Sequence, residues 1–340
     1  MPQNKQIHLD NRPEGEATLG NFKLVLAQTP ELSDGDVLVR HHYMSLDPYM
    51  RGRMNASKSY AQPQALGETM GGGTVGEVVE SKNPAFPVGV KVVGMGGWQE
   101  YSVVNAAAAK AGALRIVDTT HVPLSHYLGA VGMPGVTAWY GLVKICTPKA
   151  GETMLVSAAT GAVGSAFAAL SKARGCHTVG IAGGADKCAY AVNELGFDAC
   201  IDYKLHADAN SLAKAIKEAC PNGVDGNFEN VGGMVLDAVL PNMNAFGRIA
   251  LCGMIAGYDG KPMPLTYPAL ILVNRLTVRG FIVAEHMEVW PEALTELGTM
   301  VATGKLRPRE SIAQGIEAAP EAFLGLLKGK NFGKQLVKFF

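Results

Sequence analysis

The residues with the clearest chemical potential are Ala159-Thr160-Gly161-Ala162-Val163-Gly164. They have the spacing of a G-x-G-x-x-G turn, with Ala159 in the first glycine's place. The apolar run Met154-Leu155-Val156-Ser157 precedes them and a helix-like stretch of small residues follows, the context a dinucleotide turn needs. Gly161 lets the main chain approach a pyrophosphate, and Gly164 lets a helix lie close to its strand. The amides of Thr160, Gly161, Ala162 and Val163 around the helix start then face an anion. A glycine turn that only packs a helix on a sheet would read similarly, but the β-α units that follow favour the nucleotide. An NAD site carries an acid at the end of the second strand, about 20 residues on. Here that strand ends Ile181-Ala182-Gly183-Gly184 with no carboxylate. Asp186 comes late and reads as a first-turn acid favoured by the helix dipole. Lys187 can meet a 2′-phosphate or simply be solvated. The pattern favours NADPH as cofactor.

Other chemistries find less support. His41, His42 and His121, with Asp47 and Glu68, lack the spacing of a tetrahedral metal site, and no cysteine precedes Cys146. No metal is expected. No G-x-S-x-G elbow is present. The candidate acid is a tyrosine, Tyr258, in Cys252-Gly253-Met254-Ile255-Ala256-Gly257-Tyr258, just past a strand end where ligands of such sheets sit. A phenol there can hydrogen-bond a substrate carbonyl; a rim tyrosine with a wet hydroxyl is the alternative.

These residues need a scaffold. In 340 residues, 48% are apolar and 18% charged, which excludes a disordered chain. Thirty basic residues balance thirty acidic ones, so no broad positive field draws the protein to nucleic acid or anionic lipid. The N-terminal Met1-Pro2-Gln3-Asn4-Lys5-Gln6 lacks the apolar core of a signal peptide, and no run is long enough to span a bilayer; a cytoplasmic protein is expected. The six cysteines are scattered singly, which argues against a disulfide framework. Up to about residue 125, short runs such as Val37-Leu38-Val39, Gly76-Glu77-Val78-Val79 and Val90-Lys91-Val92-Val93 suggest a β-rich barrel or sandwich. From Met154 strands and helices alternate, and the strands are continuously apolar. That is an α/β fold with a doubly wound parallel sheet, covered on both faces. The strand-like Lys334 to Phe339 could return to the first domain.

Read together, several segments resemble the medium-chain dehydrogenase/reductase superfamily, in its zinc-independent branch of prostaglandin reductases, 2-alkenal (double-bond) reductases and curcumin reductases. They are Ser45-Leu46-Asp47-Pro48-Tyr49-Met50-Arg51, Gly132-Met133-Pro134-Gly135-Val136-Thr137-Ala138, the Ala158 to Gly164 turn, Phe228-Glu229-Asn230-Val231-Gly232-Gly233, and Gly329-Lys330-Asn331-Phe332-Gly333. The resemblance implies a GroES-like substrate domain over residues 1–125, completed by 304–340, and a Rossmann NADP-binding domain over 126–303. Zinc-dependent cousins carry a cysteine in the Ser45-Leu46-Asp47 segment and Gly-His-Glu where Leu66-Gly67-Glu68 stands.

By the same resemblance Lys187 and Tyr203 hold the 2′-phosphate end of NADPH beside Gly183 and Gly184, where relatives often carry a serine in the Gly184 position. Asn230, the turn Cys252-Gly253-Met254, the strand end Phe281-Ile282-Val283 and Asn331 line the rest of the cofactor. Tyr258 matches the tyrosine assigned to the substrate carbonyl, and Tyr49 one that lines the substrate cleft. The implied reaction passes hydride to the β-carbon of an α,β-unsaturated aldehyde or ketone. Tyr258 and a cofactor ribose hydroxyl would then stabilise the enolate oxygen. An NADPH quinone oxidoreductase, a zinc-free alcohol dehydrogenase and a non-enzymatic NADPH-binding protein are the competing readings. The strand near Arg275 to Val283 would lie at a sheet edge, and the family commonly dimerises by joining such edges, so a homodimer is expected.

Overall fold

Alternation sets the first strands. In β1 (Gln3–Leu9), Ile7 and Leu9 are buried while their neighbours are not, and β1 pairs antiparallel with β2 (Phe22–Gln28). The computed structural model describes residues 2–340. β3 (Val37–Ser45), α1 (Tyr49–Arg53), β4 (Thr74–Ser81), β5 (Lys91–Gly94), β6 (Tyr101–Val104), α2 (Ala106–Lys110) and β7 (Leu114–Ile116) follow. The chain divides into two compact units, Met1–Leu128 with Glu310–Phe340, and Gly129–Arg309. Trp98, fully buried, stacks on Phe22 at 5.6 Å and meets Phe323 edge-on at 5.5 Å, and this aromatic group centres one core of the first unit.

The second unit opens with α3 (Met133–Tyr140), which widens to π geometry over Gly141–Cys146. Then come β8 (Thr153–Ser157), α4 (Ala162–Ala173), β9 (His177–Ala182), α5 (Ala185–Asn193), β10 (Ala199–Asp202) and α6 (Ala209–Ala219). They are followed by β11 (Val224–Glu229), α7 (Gly233–Val239), β12 (Met243–Leu251), α8 (Ala269–Val273), β13 (Thr277–Gly280) and α9 (Trp290–Ala302). The strands form one sheet in the order β10-β9-β8-β11-β12-β13, every pair parallel. All five residues of central β8 are buried, because helices cover both faces. On one face Leu155, Val179 and Ile181 pack with Leu212 and Ile216 of α6. On the other, Phe167 of α4 meets Phe228 of β11 at 5.5 Å. The order reverses between β8 and β11, and open α/β sheets bind ligands outside the carboxyl ends of their strands at such a point.

The last elements, β14 (Glu310–Gln314), α10 (Ala319–Leu327) and β15 (Lys334–Lys338), rejoin the first unit. β15 lies between β14 and β3 in a sheet ordered β14-β15-β3-β4-β5-β7, with β6 also on β3.

Candidate active site at the carboxyl ends of the second sheet

The turn after β8 is shaped by close backbone packing. Ala158 adopts a left-handed φ of 53°. A Cβ on Gly164 would stand 2.5 Å from the Ala159 carbonyl oxygen, so only glycine lets α4 sit this near the strand. A Cβ on Gly161 would lie 3.2 Å from the Ala158 carbonyl oxygen. Gly161 occupies the N-cap without a side chain to cap the helix, leaving the first-turn amides of Ala162, Val163 and Gly164 without a side-chain cap. Thr160 is buried beside them. This is a seat for an anion.

At the end of β9, Gly183 gives room to an aromatic ring: a Cβ there would meet Tyr203 Cε1 at 2.8 Å and Lys204 Cε at 3.0 Å. The Asp202 carboxylate, arriving from β10, accepts from the amides of Gly184 (2.8 Å) and Lys204 (3.0 Å) and so ties the two strand ends together. Lys187 stands half-buried in the first turn of α5. Burial, and secondarily the charge of Lys204, holds its ammonium below the usual lysine range. Two cations therefore share one small region with no carboxylate at the end of β9 itself, an arrangement suited to a phosphate monoester. Lys204 escaped the sequence reading; its only signal there was a second lysine beside Tyr203.

A buried carboxylate organises the switch point. Glu229 Oε1 accepts from Ser157 Oγ (2.7 Å) and from the amides of Val231 (2.7 Å) and Gly232 (2.9 Å), while Oε2 accepts from Asn227 Nδ2 (3.2 Å). Asn230 donates its amide to Ser157 Oγ and its Nδ2 to the Ser157 carbonyl, both at 2.8 Å. The turns after β8 and β11 are thus locked to each other. The loop after β12 joins them: the amides of Cys252 (2.9 Å) and Gly253 (3.1 Å) donate to the Glu229 carbonyl. Burial, then the charge of Glu229, pushes the Cys252 thiol up to about 12. Met254 packs on Gly232, where a Cβ would stand 2.9 Å from its sulfur. Half-buried Tyr258 brings its hydroxyl to 3.6 Å from where a Gly253 Cβ would be. After β13, Phe281 is buried edge-on to Phe228 at 6.1 Å, followed by Ile282 and Val283, whose carbonyl accepts from Trp290 Nε1 at 3.3 Å.

The expected residues of the second unit therefore gather at one end of one sheet. Tyr49 and Asn331 belong to the first unit. Tyr49 begins α1 beneath the Arg53 guanidinium, 5.1 Å from its ring centre. Burial, then the Asp47 charge, pushes its hydroxyl well above the usual tyrosine range. Asp47 is itself paired with Lys334 Nζ at 3.0 Å, and Lys334 also donates to the Leu46 carbonyl at 2.7 Å. Asn331 Nδ2 donates to the Gly333 carbonyl at 2.7 Å. His41 is saturated, its ring nitrogens facing the Gln99 carbonyl at 2.8 Å and Ser102 Oγ at 2.9 Å. Among the described residues no three His, Cys, Asp or Glu side chains gather as a metal site.

Comparison with known proteins adds the following. Residues 5–111 match the family described as the N-terminal domain of oxidoreductase, and residues 162–299 that described as zinc-binding dehydrogenase. The chain is 43% identical to the NADPH-dependent curcumin reductase of Escherichia coli (strain K12), covering 99% of this chain and 97% of that protein. It is 40% identical to a 2-alkenal reductase (NADP(+)-dependent) of Nicotiana tabacum, covering 98% and 97%. The crystal structure of CurA from Vibrio vulnificus in complex with NADPH superposes with a TM-score of 0.91 at 43% identity, covering 99% of each chain.

Proposed function

Because the chain belongs to the medium-chain dehydrogenase/reductase superfamily, in the branch of the curcumin, prostaglandin and 2-alkenal reductases, we propose that it reduces the C=C bond of α,β-unsaturated aldehydes or ketones with Tyr258 as the group that hydrogen-bonds the carbonyl oxygen. It is an NADP-dependent oxidoreductase acting on CH-CH bonds, and its cofactor is NADPH. The residues present fit that cofactor: an uncapped helix start behind Gly161 suits the pyrophosphate, and the Lys187–Lys204 pair beside Tyr203 suits the 2′-phosphate. Asn230, Cys252, Gly253, Met254, Phe281, Ile282 and Val283 would line its remaining length. When bound, NADPH supplies the hydride.

The observation that carries the reading is the Tyr258 hydroxyl beside Gly253 at the switch-point end of the sheet. As the β-carbon is reduced, negative charge moves to the carbonyl oxygen, and a phenol beside it would donate a hydrogen bond to that oxygen. Tyr49 would form a wall of the substrate cleft. The Asp47–Lys334 pair stands in the segment where zinc-dependent relatives carry a ligand, and supports a zinc-independent reaction. The test is NADPH consumption with enals, enones, quinones and simple aldehydes, followed by product identification. A saturated carbonyl product supports the proposal; turnover of quinones alone overturns it. Tyr258→Phe should lower kcat on the order of 100-fold, and full activity at saturating substrate would remove Tyr258 from this role.

We also propose a cytoplasmic homodimer. No helix among the described residues is long and apolar enough to cross a membrane. β13 is exposed along its whole length at the sheet edge, and Leu272 and Val273 of neighbouring α8 are 80% and 59% exposed; pairing of two such edges would cover them. A solution mass of one chain by light scattering would refute the dimer.

A further inference from the structure

The alternation of β10 sends Ile201 into the core with Leu212 and Ile216, so Cys200 faces the other side of the sheet, where α5 packs. On α5, Cys188 lies three residues before the fully buried Ala191 and shares its inward face. The two thiols therefore lie on facing sides of the α5–β10 contact and interact there. Both are free and half-buried, unlike the fully enclosed Cys146, Cys176 and Cys220. Their neighbours in sequence are the proposed phosphate residues: Lys187 directly precedes Cys188, and Asp202, Tyr203 and Lys204 follow Cys200 closely.

We propose that Cys188 and Cys200 are a modification site, forming a reversible disulfide with a low-molecular-weight disulfide as oxidant, and that the bond weakens binding of the 2′-phosphate of NADPH. The coupling rests on the proposed roles of Lys187, Tyr203 and Lys204. The Cys188 thiolate attacks one sulfur of the external disulfide, whose other sulfur leaves as a thiolate and takes a proton. The Cys200 sulfur, losing its proton to solvent, then attacks the Cys188 sulfur of the mixed disulfide and expels the second small thiol. The protein's dithiol is oxidised to a disulfide, and one external disulfide is reduced to two thiols. Burial holds both thiols above their ordinary range, so the exchange accelerates as pH rises. An S–S bond of about 2.05 Å is shorter than any contact between two thiols. Closing that bond would draw the start of α5 against the end of β10, moving Lys187 relative to the Asp202 carboxylate that binds the Gly184 amide and to the ring over Gly183.

The experiment treats the full-length protein with oxidised glutathione at pH 8. It reads intact mass, peptide mapping, and KM for NADPH and NADH before and after dithiothreitol. The expected result is loss of two hydrogens, a cross-linked peptide joining positions 188 and 200, and a rise in NADPH KM on the order of tenfold, with NADH unchanged and full reversal by reductant. Cys200→Ser should stop at a glutathione adduct on Cys188, and Cys188→Ser should form no cross-link. Failure to form the cross-link at full oxidation of exposed thiols overturns the site. A cross-link without a change in NADPH KM overturns the coupling. Lys187→Ala without the disulfide reports separately on the phosphate pocket: if NADPH binding is unmoved there, the pocket assignment fails while the cross-link result stands.

Discussion

Replacing Lys187 by alanine should separate the two nicotinamide cofactors. The 2′-phosphate is the only group that NADPH has and NADH lacks, and Lys187 is the half-buried cation of the proposed pocket, with Lys204 the exposed one. A hydrogen bond to a charged group contributes roughly 1.5–3 kcal/mol, which converts to a rise of roughly 10- to 150-fold in the KM for NADPH. Exposed ion pairs contribute about 0.2–1 kcal/mol, so Lys204→Ala should cost no more than about fivefold. Neither change should move the KM for NADH. Steady-state rates with both cofactors at saturating enal give the four constants needed. pH adds a second signature. An ammonium is charged below its pKa, and burial and Lys204 lower that of Lys187, so its charge is lost at a lower pH than for a free lysine. The KM for NADPH should therefore climb on the alkaline side while that for NADH stays flat. Lys204→Ala should push the climb to higher pH, since it removes a repelling charge. Equal losses for NADPH and NADH in Lys187→Ala would refute the reasoning, as would no loss at all.

Two further outcomes follow from the buried groups. Glu229→Ala leaves Ser157 Oγ and the amides of Val231 and Gly232 without their acceptor in a fully buried site, and should cost about 3 kcal/mol or more in urea unfolding; a loss below 1 kcal/mol would mean that the turn does not depend on this carboxylate. His41 is neutral in the fold, its pKa lowered by burial to about 4, whereas the unfolded chain binds a proton near 6.5. The unfolded state thus binds more protons below pH 6.5, and stability should fall by about 3 kcal/mol from pH 6.5 to pH 4 through this group. An imidazole that titrates near 6.5 by NMR in the folded protein would contradict this.

What the sequence reveals depends on how local the cause is. β8, β9 and the turn at Gly161 are legible because buried parallel strands are continuous apolar runs and the glycines follow from backbone approach. Lys187 and the absence of a carboxylate after Ile181 are read from strand position, and Tyr203 is found through the resemblance. Lys204 is not, because nothing local distinguishes it from a solvated lysine until Gly183 admits its neighbour's ring. The Glu229 cluster joins residues 72 and 73 positions apart, and no short-range pattern announces it. The N-terminal hairpin was also hidden: β1 is largely polar, and its apolar residues, Ile7 and Leu9, come at its very end. Trp98 lies outside β6 and is held by long-range main-chain bonds. Its amide bonds the Met70 carbonyl at 2.7 Å and its carbonyl receives the Ile7 amide at 2.9 Å. The Cys188–Cys200 contact needs the packing of α5 on β10, which spacing alone does not give.

The position of β15 between β14 and β3 has a consequence for synthesis. The second unit is continuous in the chain and can fold as soon as residue 309 has left the ribosome. The first unit cannot complete its sheet until residue 338 arrives, although its strands β3 to β7 have been waiting since residue 116. At 5–20 residues per second the wait from residue 128 to residue 338 lasts about 10 to 40 s. During that time one edge of β3, from Tyr43 to Ser45, offers unpaired main-chain groups next to a core still lacking Leu336, Val337 and Phe323. The nascent chain thus presents a sticky early product held open by a later one, so holdase chaperones would act on its first 128 residues rather than on the contiguous middle.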